Sequence, residues 1–378
     1  MNSTSGNGIE QRGSGAAGKA SDNGTSRDSR VTRDAQDTRE TRAAREPAHK
    51  PPPGAAKRFA DLFANYGLIV VFALVLIVFA SLRPDTFLSS GNIGNLLTSQ
   101  SVTALLAFAV MLPLATGRFD LSVGYHVGMA QVLVIGFQVN DAMSWPVAAA
   151  LVIAIGIVVG LINGILVTKF KIDSFIATMG MGSLLYGVSN WYTGGQQIAG
   201  FNLPDSFANL SQVVGYVPLP AVYVAVVALV LWVVLERLPV GRSLYVIGSN
   251  ARAAELSGLR TGRYIGGAFA ASGLLCAVAG VLLGSILRSG TPSVGAEYLL
   301  PAFAGSLLGA TSIRPGRVNV GGTVLAILIV AFSFSGVQQL GAPFYVEYFF
   351  NGGILIVAVA LSVYAAIRRR KAAVKASR

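Results

Sequence analysis

The chain has one cysteine and two histidines in 378 residues. Cys276 alone can neither close a disulfide within the chain nor offer paired thiolates to a metal, and its apolar surroundings make it a packing residue. His49 and His126 are too few by themselves for a metal site. Charge is also scarce: Asp, Glu, Lys and Arg make up 12% of the chain, against about a quarter in a soluble domain. What fills the space is apolar, with 53% hydrophobic residues and a mean hydropathy of +0.61. These shortages exclude a soluble or disulfide-framed domain and point to an all-α polytopic membrane protein.

Ionisable groups are also scarce within the apolar runs, where each would be costly. Almost nothing ionisable falls there away from the very ends of the runs: His126 as a hydrogen-bonded bundle residue, and Glu347 near an outer interface. Uncharged polar residues are commoner: Gln131, Asn163, Asn190, Gln338, Gln339 and Asn351. Without an acid to titrate or coordinate, proton or sodium coupling is disfavoured. A path for a neutral polar solute, driven from elsewhere, fits better. His126, Gln131, Asn163, Asn190 and Gln338 are its candidate residues. No Ser/His/Asp cluster or metal-ligand spacing supports an intramembrane enzyme.

Residues 1–58 have another composition, rich in Gly, Ser, Thr, Arg and Asp and ending in Pro51-Pro52-Pro53. Such a mixed-charge tract cannot bury enough apolar area to offset chain entropy, so it is expected to be a disordered cytoplasmic tail. It has the features neither of a secretory signal nor of a transit peptide. Gly13 to Lys19 mimics a phosphate-binding loop, but Ala20 stands where Ser or Thr would hold magnesium, and neither strand nor helix pattern flanks it. The chain is therefore expected to carry no ATPase of its own.

Apolar runs of spanning length recur at about 67–82, 96–116, 121–139, 146–168, 172–191, 216–236, 264–287, 296–312, 320–338 and 345–366. The first and eighth are short. Of 18 basic residues past the tail, 16 fall on one side of a ten-span arrangement and 2, Arg83 and Arg288, on the other. The positive-inside rule then puts both termini in the cytoplasm. The net charge of +12 is thus a topology signal, not a nucleic-acid patch. The expected layout is a permease domain over 59–370 and a short cytoplasmic tail over 371–378. Small-residue pairs such as Gly156/Gly160/Gly164 permit close helix packing. A faint likeness between 160–175 and 328–345, running in opposite senses, fits an inverted repeat.

Three connections stand out. The outer stretch from Trp191 to Gly215 offers a landing surface for an external partner, or else an ordered re-entrant cap. In the turn from Thr116 to Gly124, Asp120 is placed to cap the following helix, with Arg118 beside it on the cytoplasmic rim. The basic turn from Ser312 to Val318 is explained by positive-inside anchoring alone. The longest polar stretch, Pro239 to Arg263, holds a short helix from Asn250 to Gly258, with Ser249 or Asn250 as its cap and Gly258 as its stop.

At these residues a family becomes visible. FDLSVG at 119–124 resembles the IDLSVG signature of permease subunits of ribose-type ABC importers. LINGILVTKFKIDSFIATMG (161–180), GRSLYVIGSNARAAELSGLRT (241–261) and LLGATSIRPGRVNVGGT (307–323) are similar to further landmarks, in order. The likeness runs from about Tyr66 to Arg370. It implies a bacterial inner-membrane subunit, multi-pass, that binds no cofactor itself, with ATP and magnesium on a partner. The implied partners are a second permease copy or paralogue, a cytoplasmic ABC ATPase and an extracytoplasmic sugar-binding protein. The implied cargo is a ribose-, xylose- or galactose-like monosaccharide, with a nucleoside, polyol or autoinducer-like solute as the alternative. An ion-coupled secondary transporter is the remaining class. By the same likeness, Asp120, Leu121, Ser122 and Gly124 form a signature turn. Asn250, Arg252, Ala253, Ala254, Glu255, Leu256, Ser257 and Gly258 form the helix that docks on the ATPase.

The chain departs from the family twice. Gly117-Arg118-Phe119-Asp120 replaces the usual Gly-Gly-Ile-Asp. Arg252-Ala-Ala-Glu255-Leu-Ser-Gly258 exchanges the two charges of the usual E-A-A-R-L-S-G. The exchange opposes the helix dipole, and a cognate ATPase with a compensating charge is expected.

Overall fold

The computed structural model describes residues 55–357 apart from 315 and 344, together with residue 360, and shows 55–66 as backbone only. The expectations for the tail up to residue 54, for the phosphate-loop mimic and for the basic residues at 368–378 lie outside the described residues.

The described chain is mostly helical, as a lipid-embedded backbone must be when nothing else can satisfy its N–H and C=O groups. The helices are α1 (Ala55–Leu82), α2 (Ser90–Ala115), α3 (Val123–Val139), α4 (Trp145–Thr168), α5 (Ser174–Thr193) and α6 (Leu219–Trp232). They continue with α7 (Pro239–Ser249), α8 (Ala251–Leu256), α9 (Thr261–Leu287), α10 (Leu299–Gly309), α11 (Val320–Gln339) and α12 (Val346–Val357). Five of them, α2, α4, α6 with its terminal turn, α9 and α11, are long and apolar enough to cross a membrane. Shorter apolar helices cover Gly67–Leu82, Val123–Val139, Val294–Gly309 and Val346–Val357. α1 begins at Ala55, inside the stretch that composition assigns to the tail.

Local chemistry sets the ends. Asp173, Asn250 and Asn319 cap α5, α8 and α11 by accepting from Phe175, Ala253 and Gly322 N–H at 2.9, 3.0 and 2.8 Å. Prolines stand in the first turns of α4, α6 and α7, where no intrahelical N–H is needed. α6 ends in a wide π-turn, Val233–Arg237, in which Leu238 N–H bonds to Val233 O at 3.1 Å.

α2 is the central helix, buried without interruption from Ser101 to Pro113, and α9 packs along α4, α3 and α2. The α4–α9 crossing depends on missing side chains. A Cβ on Gly160 would sit 2.3 Å from Phe269 O, and one on Gly273 would sit 2.2 Å from Gly156 O. Strand is minimal: β1 (Ile198–Ala199) pairs antiparallel with β4 (Ser289–Gly290), and β2 (Val213–Val214) with β3 (Val217–Pro218).

The connections 116–122, 169–173, 238–260 and 310–319 gather at one end of the bundle, shown by contacts such as Phe119 N–H to Ser174 Oγ and Gly117 against Gly248. Arg118, Lys169, Lys171 and the arginines at 237, 242, 252, 260, 263, 314 and 317 lie on these connections or beside them, so this is called the basic end.

Candidate functional site: a polar cavity and a helix pair at the basic end

A cavity of about 440 Å³ opens in the half of the bundle away from the basic end. The first half of α2 supplies Asn92, Asn95, Ser99, Gln100 and Thr103. The second half of α11 adds Phe334, Ser335 and Gln338, and Glu297, Tyr298, Glu347 and Asn351 supply further polar lining among apolar residues such as Leu96, Pro301 and Ile327. Ser335 Oγ donates to Asn92 Oδ1 at 3.2 Å, and Gln339 Nε2 donates to Ser335 Oγ at 3.3 Å, so the α2–α11 wall is braced from behind. Amides, hydroxyls and two aromatic rings around a space of this size suit a small hydroxylated solute.

The five expected pathway residues do not converge here. Gln338 lines the cavity; the other four lie elsewhere. Gln131, fully buried, donates to Ser289 O and accepts from Thr291 N–H at 3.1 Å, pinning the β1–β4 ladder to α3. Asn190 donates to Tyr186 O at 2.8 Å within α5. Asn163 donates to Ser122 Oγ at 3.0 Å. His126 is buried against Gly156, and its Nε2 has no hydrogen-bond partner among the described residues, so the hydrogen-bonded role expected of it is not seen at that nitrogen. The missed α2 residues carried a readable signal: 92, 95, 99 and 103 are spaced as one helical face.

Asp120 also differs from expectation. It does not cap α3 in the expected way and is 2% exposed. Ser122 occupies the N-cap position of α3 without a side-chain cap bond. Asp120 Oδ1 accepts from Ser122 N–H at 3.2 Å and Ser122 Oγ at 2.6 Å, and Oδ2 accepts from Ser272 Oγ at 2.8 Å, within α9. Leu121 N–H donates to Thr178 Oγ1 at 2.9 Å, and Gly124 packs against Gly295 backbone. The signature turn is therefore a bolt joining α3 to α4, α5 and α9. With Asp120 buried and Glu347 in the cavity wall, the interior holds more carboxylate than the sequence led one to expect.

At the basic end, α7 and α8 lie between α6 and α9. Ala254 is fully buried in a cluster with Ile247, Val167, Ala177 and Phe269, anchoring α8 to the bundle. Its outer face carries Leu256, 77% exposed, and Arg252, whose side chain is 80% exposed. Arg252 Nη1 lies 3.7 Å from Glu255 Oε2, an exposed i,i+3 pair of small energetic weight. Glu255 has a second contact: its Oε1 accepts from Thr261 Oγ1 at 2.9 Å, tying α8 to the start of α9. Gly258 adopts φ +86° just past the helix, where only glycine turns without strain. Between the two capping candidates, Asn250 is the cap, while Ser249 closes α7.

The family model described as "Branched-chain amino acid transport system / permease component" matches residues 92–359. The chain belongs to this permease family. The ribose import permease protein RbsC of Bacillus subtilis is 35% identical over 294 residues, covering 76% of this chain and 89% of that protein. RbsC of Escherichia coli is 33% identical over 307 residues, covering 79% and 94%. The galactose/methyl galactoside import permease protein MglC of Haemophilus influenzae is 31% identical over 320 residues, covering 80% and 94%. No solved structure matches.

The permease is thus a transport component rather than an enzyme, and the matched span takes in the cavity, the signature turn and the helix pair. In the permease, α8 has only six residues and depends on its cap. Asn250→Ala removes the acceptor for Ala253 N–H and is expected to cost about 1 kcal/mol locally. Hydrogen–deuterium exchange over 253–258 then speeds up while α9 keeps its protection; unchanged exchange there would show that the cap is dispensable.

Proposed function

We propose that the permease imports a monosaccharide of the ribose or galactose type, energised by a separate ATPase and fed by an external binding protein. The observation that carries this reading is the cavity lined by amides and hydroxyls within a chain whose relatives are named for ribose and galactose. In this reading ten spans cross the inner membrane with both termini in the cytoplasm. The cavity faces outward and the basic end faces the ATPase, which carries ATP and magnesium. α8 docks on that ATPase, with Leu256 and Arg252 as its forward contacts. The outer stretch between α5 and α6, from which Phe201 and Tyr216 project, receives the binding protein. A second copy or paralogue pairs along α5, which exposes Ile176, Met179 and Leu184 beside Gly180.

The test is reconstitution of the permease with its ATPase and binding protein in liposomes. Uptake of a labelled pentose or hexose that requires ATP and the binding protein supports the reading. Uptake by the permease alone under an ion gradient overturns it.

The Arg252/Glu255 exchange gives a sharper expectation. R252E/E255R places both charges as the family usually has them, and uptake with the native ATPase is expected to fall several-fold through a mismatched groove. Because Glu255 also holds Thr261, Thr261→Val serves as the control, losing that bond alone. If the swapped chain transports like wild type, α8 does not discriminate among ATPases by charge.

A further inference from the structure

The turn between α10 and α11 is joined to the helix pair by a set of contacts that anchoring at a membrane surface does not require. Glu236, in the π-turn that ends α6, has a side chain only 6% exposed. It pairs with Arg314, and with Arg317 Nη2 at 3.7 Å. The Arg317 guanidinium also lies 3.4 Å from the centroid of the Tyr245 ring, on α7. Tyr245 OH in turn donates to Val318 O at 2.9 Å. Burial lifts the Tyr245 phenol above its ordinary range while Arg317 draws it back, so it remains the donor at neutral pH. A buried carboxylate is costly unless its partners stay in place, so the turn and the start of α7 are constrained to move together.

On its other side the turn is rigidly fixed to α11. Asn319 Nδ2 donates to Gly309 O, Ser312 O and Arg317 O at 3.1, 3.1 and 3.2 Å, while its Oδ1 caps the helix. A Cβ on Gly322 would lie 2.1 Å from Gly309 O, so α10 and α11 meet backbone to backbone. α11 then runs on to the cavity, where Phe334, Ser335 and Gln338 form part of the wall. Beside Tyr245 and Arg317 lies a further space of about 480 Å³, reaching Leu114 and Leu307, which leaves room for the joint to shift.

We infer that Glu236, Arg314, Arg317 and Tyr245 form a positioning link that transmits displacement of α7–α8 to α11 and so to the solute cavity. The inference deepens the reading of α8 as the ATPase-docking helix and rests on it. The link itself touches neither solute nor ATP.

The test uses the full complex in proteoliposomes, comparing Glu236→Gln and Arg317→Gln with wild type. Co-purification of the ATPase and its rate of hydrolysis are expected to stay within about twofold, while solute moved per ATP falls roughly tenfold or more, within the usual range of inter-site coupling. Arg317→Lys, keeping charge but losing the planar stack, falls in between. Arg317→Gln leaves Glu236 paired with Arg314, so it reports even if Glu236→Gln fails to fold. Transport per ATP unchanged in Arg317→Gln overturns the link, and so does a parallel loss of hydrolysis and uptake, which marks a merely structural contact. Leu256→Asp tests the underlying reading separately: if it still retains the ATPase, α8 is not the docking helix and the relay has no input.

Discussion

Ser99→Trp is expected to abolish uptake while leaving assembly intact. Ser99 is exposed on the cavity side of α2, and its hydroxyl donates only to Leu96 O one turn back, at 3.1 Å. An indole there fills space between α2 and α11 without entering the packed core, so folding is spared. Uptake should fall at least ~100-fold, equivalent to about 2.7 kcal/mol on the transport barrier. ATPase co-purification and basal hydrolysis should persist. Ser99→Ala removes one hydroxyl and no space, and should transport within about twofold of wild type. If the tryptophan variant moves solute at the wild-type rate, the cavity is not on the path.

Gly160→Leu acts on the fold itself. The new Cβ meets Phe269 O at 2.3 Å and Ala270 Cα at 2.9 Å, backbone atoms that no rotamer change can move. α4 and α9 would have to part, opening the neighbouring Gly156–Gly273 contact as well. Overpacking of this kind costs about 1–3 kcal/mol or more, and the apparent Tm in detergent should drop by roughly 5 °C or more. Gly267→Leu, on the exposed face of α9, is the matched control, since its Cβ meets nothing within 4 Å. A Gly160→Leu protein that melts like wild type would mean the crossing is loose, contrary to the geometry.

The helix pattern was readable because long apolar runs broken by basic turns admit few alternatives. The run expected at 146–168 is α4 at 145–168, and that expected at 264–287 is α9 at 261–287. A cap at Ser249 or Asn250 and the stop at Gly258 were readable too, because both are local chemistry, and the structure chooses Asn250. Which way a polar residue faces was harder to read. In lipid the bundle interior and the outer surface are both apolar, so the contrast that orients a soluble helix is weak. Gln131 and Gln338 look alike in sequence, yet one braces a two-stranded ladder and the other lines a cavity. Asp120 was misplaced for another reason: Ser272, its deciding partner, is 152 residues away. Likewise, the turn at 312–318 passed for a lipid anchor because Glu236, 78 residues earlier, gave no sign of reaching Arg314.

The π-turn at Val233–Arg237 makes the permease intolerant of a particular kind of sequence change. A wide turn holds one residue more than the regular helix needs, and that surplus sets the angle at which Glu236 leaves α6. Deleting one of Val233, Val234 or Leu235 would restore ordinary helical winding and turn Glu236 by about 100°, away from both arginines. Glu236, Arg314 and Arg317 would all remain, and the chain would still lose the contact. At this point length, as much as identity, decides whether the contact forms.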